Sequence, residues 1–102
     1  MARDLPDPEG VATYTGNLAE LALDRGHWQE AETLAREALS LSEPLGRKEL
    51  IAEDCHRLAN ALARQGRGPE GRCHAERAVA IYTELRHPDL AAAQATLDEC
   101  RS

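Results

Sequence analysis

Apolar residues recur along this chain at three- and four-residue spacings in five stretches, separated by glycine and proline signals. Such spacing gathers side chains on one face of a helix. From Asp7-Pro8-Glu9, with Asp7 as cap and Pro8 in the first turn, Val11, Tyr14 or Thr15, Leu18, Leu21 and Ala22 predict a helix to Arg25. Gly26 then supplies the left-handed stop. The second helix, about 28–43, carries Ala31, Leu34, Ala35, Ala38, Leu39 and Leu41, with Pro44 disturbing its last turn and Gly46 ending it. The third, about 48–65, buries Ile51, Ala52, Cys55, Leu58, Ala59 and Leu62 and stops at Gly66. Pro69 starts a fourth, with Ala75, Ala78, Val79, Tyr82 and Leu85, that reaches about Arg86. His87-Pro88-Asp89 starts a fifth, whose stripe is Leu90, Ala93, Leu97 and Cys100. No stretch reads as a strand, so the expected class is all-α. Turns of a few residues force antiparallel neighbours, giving two helical hairpins and a final single helix that caps the stack.

The two hairpins are versions of one unit. Leu18-Ala19 is answered by Leu58-Ala59, Gly26 by Gly66, Glu30 by Glu70, Ala35 by Ala75, Ala38 by Ala78 and Leu45 by Leu85, all at a shift of 40 residues. A fixed period of this size marks a stacked-repeat architecture, in which each unit buries its apolar face against the next.

Leu18-Ala19, then Gly26-His27-Trp28-Gln29-Glu30-Ala31, then Ala35 and Ala38-Leu39 resemble the helix A, glycine turn, aromatic and small-residue helix B of the tetratricopeptide repeat family. The second unit keeps Leu58-Ala59, Gly66, Glu70, Ala75 and Ala78-Val79. The period near forty, against a usual 34, resembles the longer variant of kinesin light chains and of the arms of bacterial signalling ATPases and transcription regulators. The resemblance implies an α-α superhelix in one domain over 1–102, with repeat 1 at about 13–46, repeat 2 at about 48–86 and a capping helix at about 88–100. A HEAT or armadillo pair shares the repeat length, but the Gly-x-Trp-x-x-Ala turn of Gly26 to Ala31 argues against it. The second unit departs from the family pattern in having Gly68 and Gly71 where an aromatic and an alanine stand. These glycines allow close helix approach, although Gly71 inside a helix costs about 1 kcal/mol relative to Ala, and the second hairpin is expected to be the softer one.

Charge narrows the function. Twelve basic against eighteen acidic side chains leave a formal net charge of −6, which disfavours nucleic acid and anionic membrane surfaces as partners. No stretch has the length of an apolar span, the first fifteen residues lack a signal-peptide pattern, and three cysteines without metal spacing fit reduced thiols, so a cytoplasmic setting is expected.

Chemistry is thinly represented. Cys55-His56 and Cys73-His74 pair zinc-type donors, but adjacent helical residues point about 100° apart and Cys55 falls on the buried stripe. A small zinc-binding protein is thus a remote alternative, and no cofactor is implied. Nothing orients a nucleophile against a base, and Gly66 and Gly68 lack the lysine of a phosphate-binding loop. No enzyme is expected. In the family, helix A lines the inner groove. Opposite its buried stripe lie Asn17, Glu20 and Asp24 in the first unit and Arg57, Asn60 and Arg64 in the second, a groove acidic at one end and basic at the other. Two guanidinium groups there could hold a carboxylate, or could merely balance Glu20 and Asp24. The family's paired-cation clamp for a terminal carboxylate is not expected, because Gly16 and Glu20 take its first-unit places. Trp28 reads as core. The function expected is a non-catalytic protein-interaction module, part of a larger signalling or regulatory protein, that holds a peptide or neighbouring domain on the concave helix-A face. The alternative is self-association into a homo-oligomer through an uncapped end.

Overall fold

A computed structural model describes residues 7–101 of the chain. Helices form where the apolar spacing puts them: α1 Pro8–Asp24, α2 Trp28–Ser42, α3 Lys48–Arg64, α4 Gly68–Leu85 and α5 Leu90–Arg101, with no strand among the described residues. The starts of α1 and α3, and of α2 and α4, lie forty residues apart, so the repeat in sequence is a repeat in structure. Asp7 caps α1 by accepting a hydrogen bond from the Gly10 amide at 3.3 Å.

One turn design closes α1, α3 and α4. In the first, the His27 amide donates to the Ala22 carbonyl at 2.9 Å and the Gly26 amide to Leu23 at 3.0 Å; Arg67 with Leu62 and Gly66 with Ala63 repeat this at 2.9 and 3.0 Å. Both bonds satisfy carbonyls that a helix end leaves bare. Gly26 and Gly66 sit at φ 75° and 76°. At the end of α4 the same left-handed place falls to Arg86, at φ 54°, with His87 donating to Tyr82 at 3.0 Å.

Helix α3 is the centre, packing against each of the other four. Its expected stripe of Ile51, Ala52, Cys55, Leu58, Ala59 and Leu62 is buried throughout, joined by Ala19, Ala35 and Leu39 from one hairpin and Ala78, Tyr82 and Ala93 from the other side. Ala93, Leu97 and Cys100 of α5 are likewise buried, and Leu97 and Cys100 close over Ala59 and Ala75.

The face of α1 requires a correction. Its buried residues are Ala12, Thr15, Gly16, Ala19, Ala22 and Leu23, whereas Tyr14 is 65% and Leu21 44% exposed and Val11 and Leu18 are half-buried. Small side chains face α2 and α3 because the helices meet closely there, and the larger apolar stripe turns to the side where nothing stacks. Leu85 of α4 also lies outside the core, at 42% exposure. Glycine serves close approach in the second hairpin, as the sequence suggests, but towards two helices. A Cβ on Gly71 would stand 3.1 Å from the Ala59 carbonyl oxygen of α3 and 3.1 Å from Cys100 Sγ of α5. One on Gly68 would lie 2.8 Å from the Cys100 carbonyl oxygen.

Candidate interaction surface

Helices α1 and α5 both lean on α3, while α2 and α4 make no backbone approach to each other. Side chains bridge that outer gap at its ends, where Arg77 pairs with Glu43 at 2.6 Å and Arg67 with Glu32 at 2.8 Å. Closer packing on one side bends the stack towards it, so α1, α3 and α5 form the inner layer.

Among the six residues expected on that layer, Glu20 and Arg57 are brought together: Arg57 Nε donates to Glu20 Oε1 at 3.1 Å. The same guanidinium donates through Nη1 to Asp54 Oδ1 at 3.2 Å and has Glu53 at 3.8 Å. Gly16 makes the space, since a Cβ there would stand 2.7 Å from Arg57 Nη1 and 3.0 Å from Asp54 Oδ1. Arg57 therefore already has carboxylate partners on α1 and on its own helix, the balancing role rather than a free carboxylate receptor. Arg64 is placed apart from it. Its Nε donates to Asn60 Oδ1 at 3.3 Å, and its guanidinium lies 5.8 Å from the centre of the Trp28 ring. Asn17 and Asp24 are exposed on α1. Trp28 is half-buried against Ala22, Leu23, Ala31 and Ala61, as a packing residue would be.

Sequence reasoning missed Asp54. It is 2% exposed and accepts from the Ser42 hydroxyl at 3.0 Å as well as from Arg57. Burial lifts its carboxyl to about 6 against the pull of Ser42 and Arg57. The signal was present in its position, between Ile51, Cys55 and Leu58 on an otherwise apolar stripe. Glu32 was missed too. This half-buried carboxylate of α2 accepts from Gln65 at 2.9 Å and Arg67 at 2.8 Å, tying the first hairpin to the α3–α4 turn.

Near the α5 end of the layer, Glu20, Glu53, His56, Arg57, Tyr82 and Asp89 line a concavity of about 100 Å³. His56 Nε2 lies 2.9 Å from Thr96 Oγ1, whose hydroxyl donates to the Ala92 carbonyl at 3.3 Å, so the imidazole is the donor. Burial lowers the pKa of this imidazole and favours its neutral form. Burial also raises Glu53, against the pull of Arg57.

Cys55-His56 and Cys73-His74 carry metal-type donors. Among the described residues neither pair joins a group of three ligands; such a group is formed instead by Glu49, Glu53 and His87, with donor atoms within 4.8 Å of one another. His87 Nδ1 accepts from the Asp89 amide at 3.1 Å, which puts the proton on Nε2, and Nε2 donates to Glu49 Oε2 at 3.0 Å. Metal binding through Nε2 would turn the Nδ1 proton against an amide N–H, so the histidine is set as a donor. Cys55 is buried in the core, with its thiol pushed up to about 11 by that burial, and Cys73 is exposed. No helix among the described residues is long and apolar enough to cross a membrane.

The architecture is thus an all-α helical repeat of tetratricopeptide type. Residues 11–43, covering most of α1 and all of α2, match the tetratricopeptide repeat family model. No curated protein matches the chain. Repeats of this family generally mediate protein–protein interaction and are typically non-catalytic.

Proposed function

We propose that this chain is a non-catalytic interaction module, part of a larger cytoplasmic signalling or regulatory protein, that holds a peptide or a neighbouring domain on the inner layer of α1, α3 and α5. The observation that carries this reading is the layer itself: α1, α3 and α5 side by side, with Asn17, Glu20 and Asp24 along α1 and Arg57, Asn60 and Arg64 along α3. Asn17, Glu20, Asp24, Asn60 and Arg64 are the contact residues proposed, with Arg57 shaping the surface through Glu20 and Asp54. The forty-residue spacing supports the long-period variant seen in kinesin light chains.

Selection from a displayed random-peptide library tests it. Binders recovered on the wild type should lose affinity for an Asn60→Glu, Arg64→Glu variant whose melting temperature is unchanged, because exposed charges contribute little to folding. Binders indifferent to that variant, or no binders, would count against the inner layer.

Self-association is favoured by a separate feature. Leu21, exposed, and Leu18 and Leu34, half-buried, border an open hollow of about 180 Å³ between α1 and α2, and Tyr14 is exposed on the same helix. Sedimentation at several concentrations would detect a dimer, and Leu21→Glu should dissolve it.

A further inference from the structure

One buried polar group is left without a partner. The Tyr82 side chain is 1% exposed, its ring stacks on His87 with centroids 4.6 Å apart, and no hydrogen-bond partner for its hydroxyl stands among the described residues. Such groups are rare in folded proteins because a buried, unsatisfied hydroxyl forfeits its hydration. Tyr82 lines the concavity between α1, α3 and the start of α5, whose other charged walls are Glu20, Glu53, Asp89 and Arg57. Arg57 is engaged with Glu20 and Asp54, so it offsets only part of this negative charge. Burial, and then Glu53 and Asp89, raise the phenol's pKa and keep it neutral, and its oxygen has lone pairs with which to accept a hydrogen bond.

We propose that this concavity is a subsite for a lysine side chain of a bound peptide, its ammonium facing Glu20, Glu53 and Asp89 and donating to the Tyr82 hydroxyl. The chemistry selects a cation over an anion, because an incoming carboxylate would meet three others with the nearby guanidinium already committed. It selects a compact ammonium over a planar guanidinium, because the space is small and its acceptors come from three directions. The inference rests on the inner layer being the binding face, and reverses the carboxylate preference that Arg57 and Arg64 suggest from sequence alone.

The test is fluorescence anisotropy with two labelled, end-blocked probes, a short lysine peptide and a short glutamate peptide. The lysine peptide should bind, more weakly as salt rises. Tyr82→Phe keeps the ring and its stack on His87, should melt no lower than wild type, and should bind the lysine peptide roughly tenfold more weakly. Glu53→Gln should weaken it comparably, whereas Glu37→Gln, the same charge change on the exposed face of α2, should not. Unchanged affinity in Tyr82→Phe, equal losses in Glu53→Gln and Glu37→Gln, or no binding of the lysine peptide would overturn the subsite and leave the concavity to solvent. Binding of the glutamate peptide instead, lost in Arg64→Glu, would overturn the cation preference while upholding the inner layer as the binding face. Failure of both probes together with an empty library selection would remove both.

Discussion

Glycine and aspartate carry the sharpest consequences at the scale of single residues. Replacing a helical glycine by alanine would ordinarily stabilise by up to about 1 kcal/mol. At Gly71 the new methyl meets the Ala59 backbone and Cys100 Sγ at 3.1 Å, and overpacking typically costs about 1 to 3 kcal/mol. Gly71→Ala should therefore lower stability by about 1 kcal/mol in urea denaturation; a gain would mean that α3, α4 and α5 part easily. Asp54 gives a pH signature. Its folded pKa of about 6 lies above the ordinary value of 3.8, so the folded state binds the proton more tightly and this residue's contribution rises as pH falls through that window. Between pH 7 and pH 4, wild type should gain of the order of 1 to 3 kcal/mol on Asp54→Asn. A constant gap between the two curves would show that the carboxylate is already ionised and paired. Neither consequence was legible in full. The sequence marks Gly71 as a close-approach residue, but the neighbours that decide the sign come from α5 as well as α3. Asp54 is visible only as an intruder on an apolar stripe, because a buried carboxylate depends on donors, Ser42 and Arg57, that are brought up by packing.

Elements were far more legible, and for a physical reason: helix ends are set by local chemistry. Asp7, Gly26, Gly46 and Gly66 cap or stop helices through their own hydrogen bonds and dihedral freedom, so their positions read directly from the chain. The face a helix buries is not local. On α1 the larger apolar residues lost to Ala12, Ala19 and Ala22, since small residues win wherever two helices come close. Arg86 is the one exception to glycine in the left-handed stops among the described residues, at φ 54°. A left-handed non-glycine residue costs roughly 1 to 2 kcal/mol, part of which is offset by the greater freedom glycine brings to the unfolded chain. Arg86→Gly should thus raise stability by about 0.5 to 1 kcal/mol, read as a higher denaturation midpoint at constant slope. A lower midpoint would mean that the Arg86 side chain stabilises the α4–α5 turn by more than its backbone strains it.

In the whole molecule, the forty-residue spacing becomes an inner layer of α1, α3 and α5 and an outer layer of α2 and α4; the period pointed to stacking, and the family resemblance to which helices face inward. The chemistry of the inner layer was harder to foresee. Glu20, Arg57 and Arg64 share helix faces in the sequence, but Glu53, Tyr82 and Asp89 come from three different elements and meet only once the hairpins stack. Whether partners are held on this layer is read by an amide chemical-shift map of the labelled protein with a library-selected peptide. Shifts should concentrate at Asn17, Glu20, Asn60 and Arg64 on α1 and α3 and at Asp89 before α5, leaving Thr33, Glu37 and Ala80 on the outer helices unmoved. A map centred on α2 and α4, or on Tyr14 and Leu21 at the open end of the stack, would contradict it.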